Sequence, residues 1–170
     1  GSIEVESEPG RGSKFIVKIP IRLADEQEVP KKEPPKPEIQ NLSGITILLV
    51  EDHPINQKVA KKMLEKAGAR VIVAENGKIG WEVFAESSEN EYDVILMDIQ
   101  MPVMDGYEAA KAIRESRHPQ AKTIPIIAMT ANAFDDDIEK SKAAGMNAHL
   151  AKPIEPERLF QVLYHFILGQ

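Results

Sequence analysis

The chain has 170 residues, enough for one domain with a sizeable core and some additional length. Its net charge of −6 argues against a nucleic-acid-binding protein held by a broad basic surface, and the absence of cysteine excludes disulfides, thiol nucleophiles and cysteine-ligated metals. No apolar run approaches the roughly 20 residues of a membrane-spanning helix, so we expect no direct membrane insertion.

Residues 1–23 have the pattern of a β-hairpin. IEVES and KFIVKIPI alternate apolar with polar residues, and PGRGS between them supplies turn residues. Residues 24–43 are different, because proline, lysine and glutamate dominate and few apolar residues occur. This second segment predicts an extended linker that has no core of its own.

Residues 44–170 alternate strand and helix signals five times. The predicted strands are ITILLV, VIVA, DVILMD, IPIIAMT and AHLA. The first helix begins at Pro54, and its apolar residues recur every four positions at Ile55, Val59, Met63 and Ala67. The later helices are predicted from Asn76, from the cap residue Asp105, over residues 134–144, and around Leu159, Val162, Leu163 and Phe166. Successive βα units predict an α/β fold, a doubly wound parallel sheet with helices on both faces.

Polar residues stand at the carboxyl ends of these strands, where open α/β sheets bind ligands. Glu51 and Asp52 follow the first strand, Asp98 ends the third, Thr130 ends the fourth and Lys152 follows the fifth. Three neighbouring carboxylates repel one another, and a hard cation such as Mg²⁺ relieves that repulsion. An ammonium and a hydroxyl suit the remaining oxygens of a phosphoryl group. The set predicts a phosphoryl-accepting aspartate with its metal.

Four motifs occur in order over about residues 45–168: ILLVEDHPINQ, VILMDIQMPVMDG, PIIAMTAN and GMNAHLAKPI. They resemble the receiver domain of two-component response regulators, and EDHPINQKVA with AKPI is most similar to receivers of hybrid sensor histidine kinases. The resemblance implies a flavodoxin-like (βα)5 fold with strand order 2-1-3-4-5. It implies a cytoplasmic phosphorelay domain that takes a phosphoryl group from a histidine kinase. That group would pass to a histidine phosphotransfer protein, or the domain would regulate its own kinase.

The same resemblance assigns the phosphoacceptor and the metal ligands. Asp98 would attack a phosphohistidine. Mg²⁺ would be held by Asp52, Asp98 and the backbone carbonyl of Gln100, with Glu51 acting through a water molecule. Any catalysis by this chain would then consist of assisting its own phosphorylation and dephosphorylation.

The resemblance also assigns the residues that would respond to phosphorylation. Lys152 would pair with the phosphoryl group, and its bond to Pro153 is usually cis in the family. Thr130 would move to hydrogen-bond the phosphoryl group. His149 stands where many receivers have a Tyr or Phe that swings inward. His149 is therefore a candidate switch residue with a smaller ring, of a type that ionises near neutral pH.

The N-terminal segment GSIEVESEPGRGSKFIVKIPI resembles the final hairpin of a histidine-kinase ATP-binding domain. None of that family's ATP-contacting motifs is in the sequence, and neither is the phosphorylated-histidine helix. The resemblance implies that residues 1–23 are a remnant of that domain, in a C-terminal part of a hybrid kinase that does not itself bind ATP. The free edges of the hairpin could join another sheet, which makes a homodimer a further expectation.

Two other classes of function stay open. A receiver can bind partners without being phosphorylated, although the complete acidic set and Lys152 weigh against this. An aspartate-dependent phosphatase usually needs a second acid two residues after its nucleophile, and this chain has Gln100 there.

Overall fold

The structure, a computed structural model, describes residues 1–8, 10, 12–20, 41–131, 135–167 and 169, with only the backbone of residues 135–137. The chain divides into two units, residues 1–36 and residues 37–170. The predicted linker lies outside the described residues apart from residues 41–43, as do Pro9 and Arg11 of the predicted turn.

The N-terminal unit contains an antiparallel hairpin. Its strands are β1 (Ser2–Glu8) and β2 (Gly12–Lys18). Val5 lies opposite Phe15, and these side chains are 56% and 66% exposed, so one face of the hairpin is apolar and open to solvent. On the other face Lys18 Nζ lies 2.6 Å from Glu4 Oε1. The alternating pattern thus forms the two strands that the sequence predicts.

The second unit is built on a parallel sheet of five strands in the order β4-β3-β5-β6-β7. The strands are β3 (Thr46–Val50), β4 (Arg70–Ala74), β5 (Val94–Asp98), β6 (Ile126–Thr130) and β7 (Ala148–Ala151). Counted within this unit the order is 2-1-3-4-5, which confirms the prediction. Every residue of β5 is buried, because both faces of a central parallel strand are covered.

Helices cover both faces of this sheet. They are α1 (Pro54–Lys66), α2 (Gly77–Ala85), α3 (Gly106–Glu115), α4 (Asp135–Ala143) and α5 (Pro156–Ile167). One core cluster joins the sheet to α1 and α5, and the other joins it to α2 and α3. No helix within the described residues is long and apolar enough to cross a bilayer.

Short-range signals set the helix ends where the sequence predicts them. The carboxylate of Asp105 accepts a hydrogen bond from the backbone N–H of Glu108 (2.8 Å), and the Glu108 carboxylate accepts one from the N–H of Asp105 (3.2 Å). The Asn76 side chain caps α2 in the same way, by accepting from the N–H of Ile79 (3.0 Å). These caps fix where the chain turns from each strand end into the next helix.

The buried face of α1 differs from the prediction. The structure buries Ala60 and Leu64 of this helix, whereas Ile55 and Val59 are 66% and 56% exposed. Of the predicted apolar stripe, Met63 and Ala67 pack against the core, whereas its first two residues lie in solvent. Since Ile55 follows directly on Pro54, the exposed apolar residues begin at the end of α1 nearest the strand-end acids.

The packed domain begins earlier than the predicted boundary at residue 44. Leu42 is 1% exposed and belongs to the core cluster beneath α1 and α5. Its N–H donates to the carbonyl of Ala67 (2.7 Å), and the Tyr164 hydroxyl donates to the carbonyl of Asn41 (3.4 Å). A single leucine among polar residues gives no periodic signal, so the sequence does not reveal this anchor.

Candidate functional site

Sheet pairing brings the predicted acids together. β3 and β5 are neighbours, and Val50 pairs with Met97, so the residues that follow them, Glu51 and Asp98, meet at the edge of the sheet. One carboxylate oxygen from each of Glu51, Asp52 and Asp98 lies within 4.8 Å of the others. Glu51 is 1% exposed and Asp98 4% exposed. The cluster therefore concentrates acidic groups where water is scarce.

Lys152 inserts between two of these acids. Its Nζ lies 2.6 Å from Glu51 Oε2 and 2.7 Å from Asp98 Oδ2. The backbone N–H of Lys152 donates to the carbonyl of Thr130 (2.7 Å), which fixes the lysine beside the end of β6. The bond from Lys152 to Pro153 is cis, as predicted.

The electrostatics of the cluster follow from burial and from this lysine. Burial raises the pKa of Asp98, and the charge of Glu51 adds to the rise, while the hydrogen bond from Lys152 opposes it. Burial alone would lower the pKa of Lys152, but its contacts with Asp98 and Glu51 outweigh burial and raise that pKa. When all are ionised, three carboxylates and one ammonium leave two negative charges uncompensated. A divalent cation supplies that charge, and carboxylate oxygens are ligands that Mg²⁺ prefers.

The first turn of α1 holds Glu51 in place. Glu51 Oε1 accepts hydrogen bonds from Asn56 Nδ2 (3.0 Å) and from the N–H of His53 (3.3 Å). Its backbone carbonyl accepts from Gln57 Nε2 (2.6 Å). Asn56 and Gln57 are not among the predicted site residues, although two polar residues in the first turn after a strand-end acid are a signal that could have identified them.

The loop after β5 is closed against the phosphoacceptor candidate. The N–H of Gly106 donates to the carbonyl of Ile99 (3.0 Å), and a side chain at Gly106 would overlap the main-chain oxygen of Asp98. Val103 in this loop has φ +72°, a left-handed conformation that costs a β-branched residue about 1–3 kcal/mol. The loop is therefore both tightly packed and locally strained.

The remaining predicted residues lie on the strands next to this cluster or in its loop. Thr130 is 8% exposed at the end of β6, where its neighbour Met129 pairs with Asp98. His149 is half-buried within β7, two residues before the partner of Thr130, so it lies further from the carboxyl edge. Gln100 is exposed, and its N–H donates to Asp98 Oδ1 (3.2 Å).

A groove of about 480 Å³ runs from the cluster along α1. Its polar end is formed by Glu51 and Lys152. Its other lining residues are Asn56, Val59, Ala60, Met63, Pro153 and Ile154. Apolar surface thus begins directly beside the acids and continues along the helix.

Comparisons with known proteins match this arrangement. The family model described as "Response regulator receiver domain" matches residues 47–164. "Probable histidine kinase 2" of Oryza sativa subsp. indica is 39% identical over 140 residues, which cover 76% of this chain and 13% of that protein. The chain thus spans only a small part of this relative.

Two solved structures share the fold. The receiver domain of the sensor histidine kinase PA1611 from Pseudomonas aeruginosa PAO1, which has magnesium coordinated in its active-site cleft, is 41% identical with a TM-score of 0.67 and covers 75% of this chain and 100% of its own. A chain in the co-crystal structure of the Saccharomyces cerevisiae histidine phosphotransfer signaling protein Ypd1 with the receiver domain of Ssk1 is 30% identical, with a TM-score of 0.66 over 74% of this chain and 90% of its own.

The fold, the strand-end acids and the bridging lysine therefore agree with a family model that covers most of the chain. On this evidence the chain belongs to the response regulator receiver domain family.

Proposed function

We propose that this chain is a phosphorelay receiver that accepts a phosphoryl group on Asp98. The observation that carries the proposal is the contact of one lysine with two buried acids, Nζ of Lys152 lying 2.7 Å from Asp98 and 2.6 Å from Glu51. An ammonium held against a carboxylate is ready to bind an oxygen of a phosphoryl group attached to that carboxylate.

The transfer is a displacement at phosphorus. A carboxylate oxygen of Asp98 attacks the phosphorus of a phosphohistidine, the bond from phosphorus to the ring nitrogen breaks, and that nitrogen keeps the electron pair. Lys152 neutralises part of the charge on the transferred group. Burial of Asp98 keeps bulk water away from the nucleophile until a donor is seated.

The acids fit a magnesium ion. Asp52, Asp98 and the carbonyl of Gln100 would hold it, and Glu51 would act through a water molecule. Bound there, Mg²⁺ would supply positive charge to the phosphoryl oxygens. Asn56 and the N–H of His53 position Glu51 for this role, since they hold the carboxylate oxygen that does not contact Lys152.

Two residues would carry the signal away from the site. Thr130 ends β6 beside Asp98, and its backbone carbonyl accepts a hydrogen bond from Lys152. A shift of the Thr130 side chain toward the phosphoryl group would therefore also displace β7. His149 lies on that strand, and we infer that it changes position with Thr130. Another protein would then bind the altered surface.

The partners that fit are proteins bearing a reactive histidine. A histidine kinase would supply the phosphoryl group, and a histidine phosphotransfer protein would receive it. The apolar groove along α1, which exposed Val59 lines and beside which exposed Ile55 lies on the same helix, offers such a protein a docking surface next to Asp98. We propose a cytoplasmic location for this role, because kinases have access to ATP there. The hairpin is proposed as the remnant of the kinase's ATP-binding domain, and its open apolar face as a contact in a homodimer.

The proposal is tested by incubating the chain with Mg²⁺ and acetyl phosphate and measuring intact mass. We expect one base-labile phosphoryl group in the parent and none in Asp98→Asn. Glu75→Gln, an exposed acid at the end of β4, is the matched control and should be labelled like the parent. Equal labelling of Asp98→Asn would contradict the assignment.

Other outcomes identify the other functions. Partner binding by a chain that acetyl phosphate does not label would indicate a receiver that works without phosphorylation. Continuous turnover of a phosphomonoester would indicate a phosphatase. A monomeric mass that does not change with concentration would contradict the homodimer.

A further inference from the structure

The loop between β5 and α3 presents an apolar tip to solvent. Val103 is 79% exposed, more than any other large apolar side chain among the described residues, and the adjacent Pro102 is exposed as well. Met101 and Met104, on either side of this pair, pack against the core cluster that includes α2 and α3. The loop therefore partly buries two of its apolar side chains and leaves two in water.

The backbone gives this tip a defined shape. The N–H of Met104 donates to the carbonyl of Pro102 (2.9 Å), so Val103, with φ +72°, is the central residue of a γ-turn. Glycine would adopt this conformation without strain, whereas a β-branched residue does not. The chain thus keeps at this position a side chain that neither suits its backbone nor gains burial in the folded domain.

We propose that Val103 is a specificity contact for the protein that exchanges a phosphoryl group with Asp98, an inference that rests on the proposed function. Gly106 packs against the main chain of Asp98, and Val103 is three residues before it, which limits the Cα–Cα distance from Val103 to Gly106 to about 11 Å. An ordinary protein interface covers about 800 Å² on each partner, a patch about 16 Å in radius.

A protein whose histidine reaches Asp98 therefore covers Val103, whereas acetyl phosphate is too small to touch both. Covering this valine removes an apolar side chain from water, and little conformational freedom is lost because the turn is already ordered. The partner surface that fits is apolar and lies beside the reactive histidine. The tip and the groove along α1 would then be two separate contacts around the same reacting aspartate.

The test compares two phosphoryl donors, phosphorylated Ypd1 and acetyl phosphate, on the parent chain and three variants. Val103→Thr keeps the shape and the β-branch but adds a hydroxyl, Val103→Gly removes the side chain, and Val103→Ile keeps it apolar. We expect the ratio of the Ypd1 rate to the acetyl phosphate rate to fall about five-fold in Val103→Thr and Val103→Gly and to stay near the parent value in Val103→Ile.

Asn90→Gly is the matched control, because Asn90 is the other described non-glycine residue with positive φ (63°) and lies in the turn before β5, at the amino ends of the strands. It should leave the ratio unchanged. Thermal unfolding adds a second readout: Val103→Gly should unfold about 2–4 °C above the parent, because strain is relieved.

An unchanged ratio in Val103→Thr and Val103→Gly overturns the proposal. A melting temperature of Val103→Gly at or below that of the parent overturns the claim that the turn is strained. Failure of acetyl phosphate to label Asp98 in the parent is a separate result, which contradicts the proposed function itself.

Discussion

The α-carbon of Gly106 lies against the main chain of Asp98, with no room for a side chain between them. Helix α3 therefore begins in direct contact with the candidate phosphoacceptor. Glycine is required here by the lack of space and not by the backbone conformation, because Gly106 is not among the described glycines that have a positive φ.

Replacing Gly106 by alanine should destabilise the domain, even though alanine favours helix by about 1 kcal/mol over glycine. The added methyl group would overlap the Asp98 carbonyl, and overpacking of this kind costs about 1–3 kcal/mol or more. Urea unfolding measures the loss. Lys111→Ala, an exposed site in the same helix, should be close to neutral, and a Gly106→Ala chain as stable as the parent would contradict the packing described here.

Replacing Lys152 by methionine should leave Glu51 and Asp98 as two buried acids without their cation. Removing one partner of a buried ion pair typically costs 3–5 kcal/mol, and we expect about 2 kcal/mol here because the lysine side chain is 21% exposed. Urea unfolding without Mg²⁺ measures this loss. Lys62→Met makes the same change in net charge on an exposed face of α1 and should have little effect.

Mg²⁺ should stabilise the Lys152→Met chain more than the parent. The ammonium and the metal are both cations beside Asp98, so loss of the ammonium removes a repulsion and should tighten Mg²⁺ binding several-fold. The rise in unfolding temperature at a fixed Mg²⁺ concentration is the readout. Equal rises in the two chains would show that the metal binds away from this lysine.

Asp52→Asn should weaken Mg²⁺ binding by at least about ten-fold without unfolding the domain. The residue is half-buried and is one of the three acids whose oxygens lie within 4.8 Å of one another. Titration calorimetry at constant pH measures the affinity. Glu75→Gln, which changes an exposed acid at the same edge of the sheet, is the control, and a similar loss in both variants would indicate a diffuse charge effect.

Arg114→Met should destabilise the domain by about 2 kcal/mol, because it removes the side-chain donor of two partly buried backbone carbonyls. The guanidinium donates to the carbonyls of Gly145 (2.9 Å) and Ala121 (2.8 Å) and to Asn147 Oδ1 (2.9 Å). Burial lowers the pKa of this group, which nevertheless stays charged. Arg117→Met, an exposed neighbour, should be near neutral in the same unfolding measurement, and equal effects would contradict the role given to Arg114.

The parts of this domain that the sequence predicts are those with a local or periodic signal. Continuous apolar runs mark the buried parallel strands, and Asp105 and Asn76 mark helix starts, so the fold and the edge where Asp98 lies follow from the sequence. The motif order then supports the assignment of Thr130 and Lys152, whose functional roles stay predictions.

What the sequence did not reveal depends on contacts between distant residues. The rotation of α1 is decided by which residues fit against the sheet, so the four-residue repeat was wrong about Ile55 and Val59 and right about Met63 and Ala67. The hydrogen bonds that Arg114 donates join residues up to 33 positions apart in the sequence. The loop holds Val103 in a left-handed conformation that valine itself disfavours. The conformational preferences of the residue therefore do not predict this conformation.

The anchoring of Leu42 has a mechanical consequence. The chain enters the domain at the amino ends of the strands, where Leu42 binds Ala67 and the carbonyl of Ile45 accepts from Arg70. Asp98 lies at the carboxyl ends, one strand length of about 16 Å away. A pulling force applied through the preceding residues would act on the contacts with the end of α1 and the start of β4, and not on the acidic cluster. The edge that carries Asp98 therefore lies at the opposite ends of the strands from the point where the chain enters the domain.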